Sequence, residues 1–412
     1  MIRAKRAGKE LIGVTLAGAG ARGAYEAGVL SVLLPAMEDY DERPTVWFGT
    51  SAGAINAALF ASLGHLPAKE AVDVALSRWR QVHRGDVFAS LLPSGVRTGI
   101  DYLAEVAGMR SRVYSLLDTA PLRKTVDSWL DWKQLHRNTQ PQAGPIDAVG
   151  VAATAYGTYR TTMFVEGRLT DAMPTVDDDR GVDYRKTSLK PEHILASAAI
   201  PVAFPSVWVD DDANGNGNWY LDGGVRLNAP LKPAIAVGVD KLVVVATAPA
   251  DSTRPPTPVH RDQRPDIFDA AGDVLHAGLV DRMIEDLRTL SSFNELIAQT
   301  GNGGTRTSRT KGRRQRRVIP YIFAGPVQDG EIAALASDAF VNRYGRGPRS
   351  GWGLNIKLLN RLLGDSASRG ELFSHLFFEP EFIDAAIALG AADGWRLLAT
   401  ARDQLPWRTS RL

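Results

Sequence analysis

The 412-residue sequence predicts an α/β fold: a mainly parallel central sheet covered by helices on both faces, with a helical C-terminal portion. Two observations carry this. A strand–turn–helix unit occurs twice within the first 63 residues, which is the pattern of a parallel sheet wrapped by helices. Further apolar runs of strand length, at 146–153, 242–246 and 318–323, alternate with stretches of helical period.

Taken in order, residues 11–17 are an apolar run ending in glycines and read as a buried strand; a glycine-rich turn and a periodic helix over 24–36 follow. Residues 46–48 read as a second strand and 52–63 as a helix of small residues. Helices are expected at 69–80 and 122–130, and strands at 146–153 and 159–164, joined by a turn around Gly157. The polar stretch 175–185 reads as a surface loop, 192–199 as a helix, 210–218 as a loop, and 219–221 and 242–246 as strands. Residues 249–265, rich in Pro, Arg and Asp, form the clearest compositional hinge. Beyond it, 267–296 is helical in period, 318–323 returns to strand, and helices finish the chain. The organisation expected is a region over 11–248 and a mostly helical portion, 249–412, of the same domain, with a flexible basic loop at 301–317.

A hydrophobic fraction of 44% and a charged fraction of 23% supply an ample core. The absence of cysteine excludes a disulfide framework, a thiolate nucleophile and a thiolate-ligated metal, and fits a reducing compartment. The net charge of +2 conceals one basic strip: seven Arg and Lys residues and no acid between Arg306 and Arg317, which leaves the rest mildly acidic. No apolar run reaches the roughly 20 residues that cross a bilayer. Arg3, Lys5, Arg6 and Lys9 precede the first apolar run, and Ala17-Gly18-Ala19 resembles a signal-peptidase site. Cleavage there would destroy the glycine motif that follows, so a cytoplasmic or membrane-peripheral location is expected and secretion is not favoured.

Three motifs carry chemistry. Gly49-Thr50-Ser51-Ala52-Gly53 matches G-x-S-x-G, with strand before it and helix after it. Small neighbours let the backbone turn sharply, expose the serine hydroxyl and aim the helix N-terminus at it; the same residues also suit an ordinary tight connection. Gly18-Ala19-Gly20-Ala21-Arg22-Gly23 fits G-x-G-x-x-G. It invites a dinucleotide-binding oxidoreductase reading, but the acid wanted after the second strand is missing, since Asp39, Asp41 and Glu42 precede that strand. Backbone N–H donors for an oxyanion are the better reading. Asp222-Gly223-Gly224 ends a short apolar run, and in isolation Asp222 reads as a turn residue.

Together, in this order, the three resemble the patatin-like phospholipase family. Gly18 to Leu30 (GAGARGAYEAGVL) is similar to the family's oxyanion loop and first helix, including its basic residue, Arg22. Residues 196–207 (ASAAIPVAFPSV) resemble its small-residue and proline segment, and 222–230 (DGGVRLNAP) its Asp motif with the Asn-Pro continuation. The resemblance makes 11–248 a patatin-like catalytic region. It implies a lipid acyl hydrolase with Ser51 as nucleophile, Asp222 as general base, an oxyanion hole in the 18–23 loop and no cofactor. Where the family has three consecutive glycines, this chain has Ala19 in the middle: either Ala19 takes φ < 0 or the hole is altered. Val202, Phe204, Tyr220 and Leu221 are candidates for burying Asp222 and lining an acyl pocket.

Two rival readings remain at this level. A Ser-His-Asp esterase would need His260, His276 or His375, none in a recognisable motif; a weakly active lipid-binding protein would keep the motifs without the rate. No metal is expected, Asp210-Asp211-Asp212 with Asn214 reading as an exposed loop rather than a Ca²⁺ site. The partner implied is a lipid or other acyl ester. Arg306 to Arg317 could add peripheral contact with an anionic membrane, and no nucleic acid is expected, because the strip lacks aromatics.

Overall fold

The computed structural model describes residues 10–89, 115, 117–142, 144–201, 203–211, 216–250, 282–299, 317–345 and 367–411. The basic strip from Arg306 to Arg316, His260, His276, Val202, Asp212, Asn214, the N-terminal Arg3 to Lys9 and most of the proposed hinge lie outside them. Arg317 is described: its guanidinium pairs with Asp240 and donates to the Gly238 carbonyl, so this member of the strip is tied into the fold.

The first half of the chain runs β1 (Ile12–Leu16), α1 (Gly23–Asp39), β2 (Val46–Thr50), α2 (Ala52–Ser62), α3 (Ala68–Gln81), α4 (Arg84–Val87), α5 (Ala120–Trp129) and α6 (Trp132–Asn138). The centre follows with β3 (Ala148–Ala155), β4 (Thr161–Glu166), β5 (Val176–Asp177), β6 (Val182–Lys186), α7 (Pro191–Ser197), β7 (Val207–Asp211) and β8 (Asn216–Asp222). The described remainder is α8 (Leu231–Val237), β9 (Lys241–Val245), α9 (Arg282–Gln299), β10 (Tyr321–Ala324), α10 (Glu331–Tyr344), α11 (Ala367–Leu376) and α12 (Pro380–Ala399).

The strands form one sheet in the order β10-β9-β1-β2-β3-β4-β6-β5, and the β7–β8 hairpin joins it through β8 on β3. The run from β10 to β3 is parallel throughout, and β6 is parallel to β4; the remaining pairings are antiparallel. The central strands are buried on both faces, which is why they read as continuous apolar runs. Their alternate residues separate into two cores. Val14, Leu16, Trp47, Val149, Val151, Val243 and Val245 face one with α1, α2 and α12. Phe48, Ala148, Ala152, Leu242 and Val244 face the other with α8 and α9.

The C-terminal helices belong to the first core. Helix α12 lies along α1, and their backbones approach closely: a Cβ on Gly28 would stand 2.3 Å from the Ile387 carbonyl oxygen, and one on Gly390 2.1 Å from that of Tyr25. No helix among the described residues is long and apolar enough to cross a membrane.

Two stretches differ from the sequence reading. The polar segment 175–185 is largely strand, because β6 pairs with β4 and buries Val182 and Tyr184 between exposed polar residues. The described ends of the segment 210–218 belong to β7 and β8, which pair with Trp208 opposite Trp219. Both were hidden by charged residues on the solvent-facing positions of half-buried strands.

Candidate active site

Ser51 stands between β2 and α2 with φ 55° and ψ −124°, a conformation rare outside glycine and costing about 1–3 kcal/mol. The glycines of the motif explain how the turn fits. A Cβ on Gly49 would lie 2.1 Å from the Gly53 carbonyl oxygen, and one on Gly53 2.4 Å from that of Ala17. The strain is held by partners: the Ser51 N–H donates to Ser197 Oγ (2.9 Å), whose hydroxyl donates to the Ala152 carbonyl (2.6 Å). Thr50 is fixed through its hydroxyl to the Leu227 carbonyl (2.9 Å).

Asp222 closes β8 opposite Ala153 on β3. Its N–H donates to the Ala199 carbonyl (2.9 Å), and its carbonyl accepts from Thr154 Oγ1 (2.9 Å). The carboxylate accepts the Gly224 N–H (2.7 Å), and the Ser51 side chain lies close enough to favour its ionised form. Burial raises its pKa from 3.8 to about 6, against the opposing pull of Ser51 and the Gly224 N–H. Gly223 must be small, since a Cβ there would reach 2.2 Å from the Ala152 carbonyl oxygen.

The 18–23 loop lies alongside the serine, where a Cβ on Gly18 would be 3.4 Å from that of Ser51. The Gly18 N–H is committed to Asn228, reaching both its Oδ1 (2.8 Å) and its carbonyl (3.0 Å). The Arg22 N–H closes a tight turn onto the Ala19 carbonyl (3.1 Å). Between them, the N–H groups of Ala19 and Gly20 have no acceptor among the described residues. Ala19 has φ −141°, so the alanine is not asked to take a left-handed conformation. The left-handed residue is Gly20, at φ +55°.

Ser51 and Gly20 open onto a cavity of about 550 Å³ of empty space, part of it open to solvent. Its walls are almost wholly apolar. Helix α5 contributes the stripe Leu122, Thr125, Val126 and Trp129, and Phe204 and Phe378 stand among the other walls. The i, i+3, i+4, i+7 spacing of that stripe sets one helix face, about 10 Å long, along the cavity. Of the four residues expected to wrap Asp222 and an acyl chain, Phe204 lines the cavity. Tyr220 instead packs edge-on against Phe164, with ring centroids 5.2 Å apart, and Leu221 does not reach the cavity.

Thus Ser51, Asp222, Gly49, Gly53, Gly223, Gly224 and the loop Gly18, Ala19, Gly20, Ala21, Arg22 and Gly23 come together at one end of the sheet. Sequence reading missed Ser197, Asn228 and Glu371, and named His375 only as a possible third member of a Ser-His-Asp triad. Ser197 and Asn228 stand inside segments already singled out, 196–207 and 222–230; Glu371 carried no signal. His375 lines the cavity, but its Nδ1 pairs with the Glu371 carbonyl (2.9 Å). Among the described residues, it is the Ser51 side chain and no histidine that acts on the Asp222 carboxylate. Asp210 accepts from Trp208 Nε1 (2.8 Å), and no group of three potential metal ligands occurs among the described residues.

A largely parallel sheet with a serine elbow facing a buried carboxylate and an apolar cavity is the form of an α/β lipid acyl hydrolase. Residues 14–235, just over half of the chain, match the patatin-like phospholipase family, and the chain belongs to that family of lipid acyl hydrolases. Among solved structures, the crystal structure of VipD from Legionella pneumophila is similar at 14% identity and a TM-score of 0.33, covering 95% of this chain and 67% of that one. No curated protein matches the chain.

Proposed function

We propose that this protein hydrolyses the carboxylic ester of a lipid through Ser51 and Asp222, by way of an acyl-enzyme. The observation that carries the reading is that Ser51 opens onto an apolar cavity while its side chain lies beside the buried Asp222 carboxylate.

In the first half-reaction Ser51 Oγ attacks the ester carbonyl carbon while Asp222 takes the hydroxyl proton. Negative charge develops on the carbonyl oxygen, where the N–H groups of Ala19 and Gly20, without an acceptor among the described residues, are the donors of choice. Collapse of the tetrahedral intermediate breaks the ester C–O bond, and Asp222 returns the proton to the leaving alkoxide. In the second half-reaction Asp222 takes a proton from water, the hydroxide attacks the acyl-serine, and the fatty acid leaves as Ser51 is reprotonated. A carboxylate with a pKa near 3.9 is a weak base; one raised to about 6 is better matched to neutral pH and still ionised there. The cavity holds the acyl chain.

The test is release of fatty acid from a panel of phospholipids, lysophospholipids and neutral lipids, scored by head group and position. Wild type is expected to release fatty acid from at least one class, and Ser51→Ala to lose on the order of 10⁴-fold or more of that rate while remaining folded. Unchanged turnover by Ser51→Ala would remove the serine from the mechanism.

A further inference from the structure

The family match ends at residue 235, yet the 18–23 loop is gripped by a helix more than a hundred residues further on. Arg22 forms a buried ion pair with Glu371 on α11; their side chains are 3% and 8% exposed. The same guanidinium donates from Nη2 to the Glu371 carbonyl (3.3 Å) and from Nε to Ser374 Oγ (2.7 Å), and Ser374 donates in turn to the Glu371 carbonyl (2.7 Å). One residue on, the His375 carbonyl covers Gly20: a Cβ there would be 2.3 Å from its oxygen. Helix α11 is itself seated firmly. Phe373 stacks on Phe377 (4.6 Å between centroids) and meets Phe340 of α10 edge-on (5.7 Å).

The chemistry here is expensive for a merely structural joint. A buried ion pair with its hydrogen bonds contributes little net stability compared with apolar residues of the same volume, because both charges are desolvated. What it supplies is direction: a guanidinium gripped by a carboxylate, a carbonyl and a hydroxyl has one position. Arg22 ends the turn whose two preceding amides, Ala19 and Gly20, lack acceptors among the described residues, so fixing Arg22 fixes those amides beside Ser51. Hydrogen-bond donors to an oxyanion act by being in place before charge develops, so small displacements reduce the rate while the ground state is hardly affected.

We propose that Glu371 is a positioning residue, which through Arg22 and with Ser374 holds the 18–23 loop in the conformation that receives the oxyanion. The proposal rests on the Ser51–Asp222 reading given above. It implies that the site is completed from outside the family-matched residues.

The test separates positioning from folding by exploiting the asymmetry of buried pairs. Glu371→Gln leaves Arg22 buried without its counter-charge and is expected to unfold more readily than wild type. The double variant Arg22→Met with Glu371→Leu removes both charges and retains packing, and is expected to melt at or above the wild-type temperature. With a soluble p-nitrophenyl butyrate substrate, the full-length double variant is expected to lose about 100-fold in kcat, the scale of one oxyanion donor. Its KM should stay within about twofold, and the acid limb of its pH profile should be unchanged, since Asp222 is not altered. A folded double variant with kcat within about threefold of wild type overturns the proposal, as does a rate loss that only follows the unfolded fraction. If the double variant does not fold, Ser374→Ala decides: it removes one contact to Arg22 and is expected to lower kcat several-fold at constant KM, and a wild-type kcat overturns the proposal. Ser51→Ala in parallel keeps the two readings apart. Activity surviving in Ser51→Ala defeats the serine mechanism itself, whereas an inactive Ser51→Ala beside a fully active double variant defeats the role of Glu371 alone.

Discussion

The two glycine-rich turns beside the cavity share a composition and are stabilised in different ways. The elbow at 49–53 is shaped by its own glycines and held by Ser197 and Leu227, both within the family-matched residues. Gly49 stands against the Gly53 carbonyl, Gly53 against the end of β1, and α2 begins at the next residue after Ser51. The loop at 18–23 has few such local constraints. Its Gly18 amide is taken by Asn228, its Gly20 is covered by His375, and its Arg22 is held by Glu371 and Ser374. A strained residue tolerates substitution poorly wherever its support lies. The difference is where damage can arise: the elbow is exposed to changes within it and at Ser197 and Leu227, the loop also to changes some 350 residues away in sequence.

The largest effect expected is at the residue both turns face. Asp222→Asn should reduce turnover about as severely as Ser51→Ala, because the two act as a unit. Stability should move the other way. The folded chain holds the Asp222 proton up to a pKa of about 6, against 3.8 for an exposed aspartate, so folded stability falls as pH rises through that window. By pH 7 the loss is on the order of 3 kcal/mol. Asparagine removes it, so the variant should melt above wild type at pH 7.5, with the gap closing near pH 4. Equal melting curves at both pH values would show that Asp222 is not desolvated. In wild type, kcat/KM should fall about tenfold per unit below pH 6, as the base becomes protonated.

Next comes Gly20, where the loop depends on its distant cover. Gly20→Val places a branched side chain at φ +55° and against the His375 carbonyl. Turnover should drop by about 10²-fold or more, with a lowered melting temperature, since both loop and cover must shift. Normal rates would place the oxyanion donors elsewhere. A smaller effect is expected at the cavity wall. Val126→Trp fills part of the space opposite the elbow and should shift preference from long to short acyl esters by about tenfold in relative kcat/KM. A chain-length profile identical to wild type would mean that the acyl chain lies elsewhere.

The smallest expected effect sharpens the contrast within the loop itself. Ala19→Gly should change kcat by less than about threefold and cost about 0.5–1 kcal/mol in stability, since Ala19 at φ −141° needs no glycine. A large gain in rate would mean that Ala19, and not Gly20, limits the oxyanion geometry.

Sequence by itself determined the alternation of strand and helix in the first 63 residues and the order of the three motifs, which single out Ser51, Asp222 and the loop as candidates. These were legible because they are local: a buried parallel strand must be apolar, and a tight turn must have small residues wherever the chain goes next. Strands β6 and β7 were not legible, since their solvent-facing charges made them read as loops. The pairing of Glu371 with Arg22 was equally invisible, because nothing in an isolated Arg or Glu codon records which distant charge it will meet. Tertiary structure alone decided that Asp222 is buried, that Gly20 rather than Ala19 takes the left-handed conformation, and that a C-terminal helix pairs with Arg22 of the loop. The reason is physical: desolvation, backbone cover and charge pairing depend on which surfaces meet in space, and those surfaces come from segments that the chain brings together only when it folds.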